Sequence, residues 1–433
     1  MKIIQVIHGY PPQYNAGSEN YTESISNEIA SRGNEIVIFC REENPFKPEY
    51  ELHEEIVENN SNIKKVIINI QKSRERFIHK QVDQAFNEVI EKFSPDIIHF
   101  QHLNHLSLTL PLVALDKEIP TVYTLHDYWL LCPRGQFIQY NLEGENWKFC
   151  DGQEDSKCAK ACYSRYFSGD PDGKKDEEYW KNWIHTRMAI SRKIADTIDY
   201  FISPSHTLYN YFISGYPEAK GKISYLDYGF NLHKLSGRKR ESNNEPFVFG
   251  YIGTHIPAKG VDYLIKAFIR LKGKAILRVW GRPKNEQTPF LKELSNRIQM
   301  YLDNKIEWMG EFDGNRIIED VFNKVDAIVV PSIWLENSPL VIHEAQQAKV
   351  PVITANAGGM AEYVKDGKNG LLFDFRNIDS LSKQMQRFLD YPEFARELGK
   401  TGYIYSKTGD VPAIEPHVDS LITIYNKLIE KHK

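Results

Sequence analysis

The sequence predicts an α/β protein made of two doubly wound domains. Three observations carry that expectation. The chain has 433 residues, short apolar runs alternate with amphipathic stretches in two successive series, and a polar run separates the series. A single core stops growing at about 250–300 residues, so a chain of this length divides by default. Strands alternating with helices favour parallel sheets covered by helices on both faces.

In the first series Ile3–Ile7 reads as a strand. Ser18–Ser31 reads as a helix, with Ile25 and Ile29 four apart and Gly33 as its stop. Glu35–Phe39, Ile97–Phe100 and Thr121–Thr124 are further strands. A helix is expected over Lys72–Phe93, with Phe77, Val82, Phe86, Val89 and Ile90 as its apolar stripe. Its basic residues Lys72, Arg74, Arg76 and Lys80 suit contact with anionic lipid, although a solvated face over a packed stripe is the ordinary reading.

The second series runs Phe247–Ile252 (strand), Val261–Leu271 (helix), Ala275–Trp280 (strand), Ile317–Val321 (helix), then the strands Ala327–Val330 and Val350–Thr354. Between the series, residues 236–246 are polar without apolar periodicity and read as a linker. The expected organisation is therefore a first domain over 1–235, the linker, a second domain over 247–408, and a last helix within 409–433 that crosses back to the first domain.

Composition bounds the function. Hydrophobic residues make up 41% and charged residues 26%, as in ordinary soluble proteins. A net charge of −4 argues against a nucleic-acid binder. The N-terminal run lacks the order of a signal peptide, and no stretch of about 18 uncharged apolar residues is present. The expected location is the cytoplasm, with peripheral contact at the inner membrane face left open.

An insert from Cys132 to about Lys181 breaks the rhythm, and Tyr179–Ile198 after it reads as a helix. A structureless loop of that length is usually functional or clipped. Of five cysteines, Cys40 sits in the apolar run Ile36–Cys40 and reads as a core thiol. Cys132, Cys150, Cys158 and Cys162 fall close together. They could hold one structural zinc through four thiolates. Free thiols and disulfides are the alternatives, disulfides being disfavoured in a reducing compartment.

The most informative stretch is Val329–Ala345, which passes from a strand end through a loop into a helix. Ser338 suits an N-cap and Pro339 a first helical residue. The amides of Leu340, Val341 and Ile342, with the helix dipole, would then form an anion site suited to a diphosphate. Glu344, four after Leu340, shares that face and could accept two hydrogen bonds from a ribose diol. Glu336 and Asn337 precede the cap, where a sugar hydroxyl could meet Glu336. Two glutamates at this spacing are common on solvated helices. Their place at the carboxyl end of a strand is what points to a ligand. Gly253 allows close backbone approach, and Lys259 before Gly260 offers a point charge, although a Lys-Gly pair is also an ordinary helix cap.

The order Gly253, Lys259-Gly260, Gly281, Trp308-Met309-Gly310, Pro331-Ser332, Glu336-Asn-Ser-Pro-Leu340, Glu344-Ala345, Pro351-Val-Ile353, Gly358-Gly359, Glu362 and Asn369-Gly370 resembles glycosyltransferase family 4 over about residues 247–390. The resemblance implies a GT-B fold, with two Rossmann-like domains facing across a cleft, and a retaining transfer from a nucleotide sugar. It implies that Glu336 contacts the donor sugar, Glu344 the ribose and Lys259 the diphosphate, with Met309 and Gly310 near the base. The family places an arginine just before the lysine. Thr254-His255 stands there in this chain, so Arg282 is the candidate substitute.

In the first domain, Tyr14–Glu19 resembles the family's glycine-rich loop, with Gly17 close to the diphosphate and Glu19 on the acceptor side. Its ordinary reading is a plain strand-to-helix turn. His126 matches the family histidine that reaches the donor sugar, Asp127 would orient it, and Arg134 would contact phosphate or acceptor. His99, His102 and His105 are three apart. On a helix they would suit a metal, but they follow a strand, which favours a loop lining the acceptor cleft.

Catalysis would rest on His126, Glu336 and Lys259 and require no cofactor. The leaving diphosphate would itself assist deprotonation of the acceptor, with domain closure excluding water. The expected partners are a nucleotide sugar and a glycan or lipid-linked acceptor. Rival readings are a GT-B phosphorylase or epimerase, a sugar- or nucleotide-binding module without activity, and a zinc-dependent interaction protein.

Overall fold

Two parallel sheets organise the chain. The structure, a computed structural model, describes residues 1–57, 60–71, 76–140, 147–165, 168–170, 172–240, 246–283, 287–299 and 304–433. It divides into one unit of Met1–Gly229 with Pro412–Lys433, and a second of Phe230–Val411.

The first unit contains β1 (Lys2–Ile7), β2 (Glu35–Glu42), β3 (Leu52–Val57), β4 (Asn60–Asn69), β5 (Ile97–His102), β6 (Thr121–Thr124), the hairpin strands β7 (Ile138–Tyr140) and β8 (Trp147–Phe149), β9 (Tyr200–Ser203) and β10 (Ile223–Tyr225). Its main sheet runs β10-β9-β6-β5-β1-β2-β4-β3. Only β3 is antiparallel, with Leu52 opposite Ile68. Ile3 pairs with Ile36 on one side and Ile97 on the other. These central strands are buried apart from the ends of β1 and β2, which is why they read as apolar runs. β3 and β4 were not expected. β3 has the sequence Leu-His-Glu-Glu-Ile-Val and is mostly exposed, as suits a sheet edge guarded by charge.

The second unit contains β11 (Phe247–Ile252), β12 (Ala275–Trp280), β13 (Lys305–Gly310), β14 (Ala327–Val330), β15 (Val352–Ala355) and β16 (Gly370–Phe373). Their order is β13-β12-β11-β14-β15-β16, every pairing parallel. Taken in chain order this is 3-2-1-4-5-6, the doubly wound arrangement, whose winding reverses between β11 and β14. Ligands of such sheets lie beyond the carboxyl ends of the strands at that reversal.

Several expectations change. The helix placed over Lys72–Phe93 runs from Lys80 to Phe93. It buries Val82, Ala85, Phe86, Val89 and Ile90, while Lys72 and Arg74 lie outside the described residues. Arg76 precedes the helix and donates to the Tyr50 hydroxyl at 3.1 Å. The insert is not structureless. It carries the β7–β8 hairpin, the short helix Asp155–Cys158, a π-helical turn Ala159–Ser164 and the start of the helix Glu177–Thr197.

Residues 236–240 are not a free linker. Arg238 donates to the carbonyls of Phe322 (2.9 Å) and Val325 (2.8 Å). Arg240 grips both oxygens of Asp326 at 3.0 Å. Polar side chains that satisfy backbone carbonyls and a buried carboxylate belong to a fold, so the second unit begins at Phe230, not after 246.

The last helix, Ile414–His432, belongs to the first unit. Tyr425 hydrogen-bonds His99 Nδ1 at 2.6 Å, and His417 Nε2 meets the Tyr21 hydroxyl at 2.8 Å. Gly229 is a glycine because a Cβ there would press on His417. Among the described residues no helix is long and apolar enough to cross a membrane.

Candidate functional site

Loops after β11 and β14 meet at the winding reversal of the second unit. Gly260 has φ of +68° and packs so closely on the Pro331 carbonyl that any side chain would overlap it. That approach brings Lys259 beside the loop after β14. Lys259 Nζ lies 2.7 Å from Glu336 Oε1 and 5.6 Å over the Trp334 ring. The Ser332 hydroxyl donates to the same Oε1 at 2.6 Å. From the far side the Gly359 amide donates to the Glu336 carbonyl at 2.8 Å. A Cβ on Gly358 would lie 2.8 Å from that carbonyl, and one on Gly359 would overlap the Asn337 carbonyl. The glycine pair thus clamps the backbone that carries Glu336 and Asn337, both buried.

The helix that follows, Leu340–Gln347, starts one residue later than expected. Pro339 has ψ of 114°, an extended value, so it takes the cap position and offers no side-chain acceptor. Ser338 does not cap. Its hydroxyl is buried without a hydrogen-bond partner among the described residues. The Ile342 amide is already used, donating to the Pro339 carbonyl at 3.0 Å. The first-turn donors are therefore those of Leu340 and Val341. Glu344 follows on the same face. It retains some surface exposure but lies deep among protein atoms, and that desolvation raises its carboxyl from 4.5 to about 7 against a smaller opposing effect of His343.

The loop after β12 closes the other side. Gly281 has φ of +130° and lies against the Gly253 carbonyl. Arg282, expected to substitute for the missing arginine, reaches the Glu311 carboxylate at 3.3 Å at the surface. His255, at the position upstream of the lysine, is buried and bonded to the Thr288 hydroxyl at 3.1 Å. Burial lowers its pKa, so it stays neutral and adds no charge. Met309 is exposed on β13, and the Gly310 carbonyl accepts from Gly281 at 2.8 Å.

In the first unit the winding reverses between β1 and β5, and candidate residues gather at their carboxyl ends. His8 follows β1 and His102 ends β5; their rings meet edge to face at 4.8 Å. His8 Nε2 lies 3.2 Å from Glu19 Oε1 on the helix Gly17–Ser31. Burial works to raise Glu19, yet hydrogen bonds from His8, Ser18 and its own amide hold it near 2. Since burial also lowers His8, we assign the effect at neutral pH to the hydrogen bonds. Gly17 is exposed as the first residue of that helix.

His126 lies just beyond β6. Its Nε2 meets Gln101 Oε1 at 2.9 Å, and its Nδ1 meets the Tyr228 hydroxyl at 2.7 Å. Gln101 in turn donates to Gln5 at 2.9 Å. With Gln101 so oriented, His126 Nε2 donates and Nδ1 accepts from Tyr228. Burial keeps the ring neutral. Both ring nitrogens are thus engaged within the unit.

Asp127 does not orient His126. It receives the Trp129 amide at 2.7 Å and faces His102 Nε2 at 3.3 Å. Arg134 lies over the Trp147 ring at 4.9 Å within the insert. His99 points the other way into the core, between Tyr425 and Thr124, so the three histidines do not converge. Among the described residues no three His, Cys, Asp or Glu side chains form a ready metal-ligand group. Cys132, Cys150, Cys158 and Cys162 are buried free thiols lining one small cavity.

Two family models meet end to end on this chain. The model for Glycosyltransferase Family 4 matches residues 15–234, and that for Glycosyl transferases group 1 matches residues 235–405. The chain belongs to glycosyltransferase family 4. A D-inositol 3-phosphate glycosyltransferase of Catenulispora acidiphila is 24% identical over 231 residues, 49% of this chain and 53% of that one. The chain spans about half the length of the curated relatives it matches.

Among solved structures, sucrose-phosphate synthase from Thermosynechococcus elongatus superposes with a TM-score of 0.71 at 17% identity, over 99% of each chain. Anabaena HepE in complex with UDP and glucose gives 0.69 at 16%, over 98% of this chain and 100% of that chain. Both likenesses establish the GT-B fold for this family 4 chain.

Four residues of these groups were missed in the sequence. Ser332, His8, Gln101 and Tyr228 hold Glu336, Glu19 and His126. Ser332 sat in the Pro-Ser motif that carried the resemblance. His8 directly follows a strand end, a signal that was present. Tyr228 lies 102 residues from His126, and no local pattern links them.

Proposed function

We propose that this family 4 chain is a retaining glycosyltransferase that takes a nucleoside-diphosphate sugar, with UDP or GDP as the nucleotide, and passes the sugar to a hydroxyl acceptor. The acceptor class is a glycan or lipid-linked glycan, in the synthesis of cell-surface polysaccharide or glycoconjugate. The proposal carries with it a cytoplasmic site of action, peripheral to the inner membrane face where the acceptor is lipid-linked.

One observation carries the reading. A lysine ammonium, a buried glutamate and the first amides of a helix share the winding reversal of a 3-2-1-4-5-6 sheet, with a second glutamate one turn on. The Leu340 and Val341 amides would receive the diphosphate. Lys259, 2.7 Å from Glu336 at rest, would stabilise the charge that grows on the diphosphate as the glycosidic bond breaks. Glu336 would hold a hydroxyl of the donor sugar, and Glu344 the ribose diol. In the first unit His126, held neutral by burial between Tyr228 and Gln101, is the candidate for the sugar. Because the departing diphosphate takes up the acceptor proton, no further protein base is required. HepE was solved with UDP, which puts UDP first among the nucleotides to be tried.

The test is a thermal-shift screen with nucleotides, UDP-sugars and GDP-sugars, followed by nucleotide release from any sugar that binds. A ligand at about 100 times its dissociation constant stabilises by roughly 2.7 kcal/mol. Stabilisation by a nucleoside diphosphate, lost in Glu344→Ala, is expected. Absence of any nucleotide effect overturns the reading, and stabilisation by a sugar phosphate alone overturns it in favour of a phosphorylase.

A further inference from the structure

The insert of the first unit brings four thiols to one place from three separate pieces of chain. Cys132 follows the loop of His126, Cys150 follows β8, Cys158 ends the helix Asp155–Cys158, and Cys162 lies in the π-helical turn that continues it. Cys158 and Cys162 are four apart on continuous helical backbone and so share a face. All four are 5–7% exposed and free. They line a single cavity of about 10 Å³, together with Arg134 and Tyr163.

Cysteine's general preference for burial explains each thiol singly. It does not explain why three pieces of an irregular insert should each bring cysteine to the wall of one cavity. The core around them is small: Cys158, Ala159, Cys162, Tyr163, Trp180 and Ile184. A segment of that kind needs a staple.

We propose that Cys132, Cys150, Cys158 and Cys162 bind one Zn²⁺ as a closed, four-thiolate structural site that fixes the insert. Soft thiolates select zinc or iron over the harder cations. Four thiolates around one small cavity suit a single ion. Four protein ligands leave no open position, which makes the site structural. Zn²⁺ replaces the four thiol protons, which pass to solvent, and the resulting site carries two negative charges. Arg134 on the cavity wall and Lys157 nearby oppose that charge; Asp151 is already paired with Lys157 at 2.6 Å.

Two of the thiols face backbone carbonyls. Cys150 Sγ donates to the Gly152 oxygen at 3.1 Å, and Cys162 Sγ faces the Ile138 oxygen at 4.0 Å. Among the described residues no ready ligand group is formed, and the ion would draw the four thiolates together.

The consequence reaches the site. The Cys132 amide donates to the Tyr128 carbonyl at 2.8 Å, the Gly135 amide to the Cys132 carbonyl at 2.8 Å, and the Tyr128 amide to the Gly135 carbonyl at 3.2 Å. Fixing the Cys132 sulfur therefore fixes the turn that holds Asp127 and follows His126.

The full chain, purified in reductant without added metal or chelator, is tested by elemental analysis and thiol titration. About one zinc per chain is expected, released in step with thiol modification by a mercurial. Cys158→Ala/Cys162→Ala is expected to carry none, and Cys40→Ala the full amount. If the double variant does not fold, cobalt(II) exchange into the wild-type chain decides. Intense visible bands of tetrahedral thiolate coordination support the site. Five titratable thiols unaffected by zinc or cobalt, disulfides found by mass, or iron in place of zinc each overturn it.

Discussion

Lys259 and Glu336 form a 2.7 Å ion pair across the point where the sheet of the second unit reverses its winding. Glu336 also takes the Ser332 hydroxyl on the same oxygen. In the donor reading the two residues act on different parts of one substrate, the ammonium on diphosphate and the carboxylate on sugar. Lys259→Ala is expected to lower kcat by about 10²–10³, the cost of removing one charge-stabilising donor. Glu336→Gln is expected to lower kcat while leaving the dissociation constant of the free nucleoside diphosphate within severalfold. Calorimetry with the nucleotide, beside kcat and KM for the donor found by screening, separates the two. Equal loss of nucleotide binding in both variants would mean that Glu336 only positions the lysine.

Glu344 gives the chain a pH signature. Its carboxyl, raised by desolvation from 4.5 to about 7, keeps its proton in the folded chain over a range where the unfolded chain has lost it. That contribution to stability is full below about pH 4.5 and is lost as pH rises through about 7. The Tm of the wild-type chain should therefore fall relative to Glu344→Gln between about pH 5 and pH 8. Ligand binding has the opposite sign, because a ribose diol donates to the ionised carboxylate. Nucleotide affinity should weaken as pH drops below about 7, with proton release on binding, and the variant should show neither effect. A flat difference in Tm across that range would place Glu344 in an ordinary aqueous environment.

The sequence carried the architecture because both sheets bury apolar strands between helices, a pattern of local period. Lys259, Glu336 and Glu344 were legible for the same reason, since each sits at a strand end or on the first turns of the next helix. What escaped depends on backbone angles or distant partners. Pro339 adopts an extended ψ, which displaces the expected Ser338 cap. Asp127 faces His102 and not its neighbour His126. His99 answers to Tyr425, 326 residues away. The edge strand β3 was missed because its burial, and hence its pattern, is slight.

The glycine clamp behind Glu336 predicts a large effect from a small change. Gly359 packs against the Asn337 carbonyl with no room for a methyl group. Gly359→Ala must move the loop that carries Glu336, at a cost of about 1–3 kcal/mol typical of overpacking. Gly33→Ala is the control. Its φ of +81° is also unfavourable, but a Cβ there meets nothing within 4 Å. The control should lose about 1–2 kcal/mol from backbone strain alone and keep nucleotide binding. Denaturant melts and a nucleotide titration on both variants check this, and intact binding in Gly359→Ala would show that the loop tolerates displacement.

Arg240 tests whether the polar stretch before β11 is structure or tether. Its guanidinium and the Asp326 carboxylate are about 90% buried, with exposures of 9% and 10%, and Asp326 also receives the Val248 amide at 2.8 Å. The pair thus ties residues 236–240 to the start of β11 and the approach to β14. Removing one member of a buried pair leaves the other charge uncompensated, at about 3–5 kcal/mol. Arg240→Ala should therefore unfold the second unit at a clearly lower temperature. Arg240→Ala/Asp326→Asn should recover part of the loss, because the stranded charge is gone. Chemical denaturation of the wild-type chain and these variants provides the measurement. A loss below about 1 kcal/mol in the single variant would return the stretch to the role of a solvated linker.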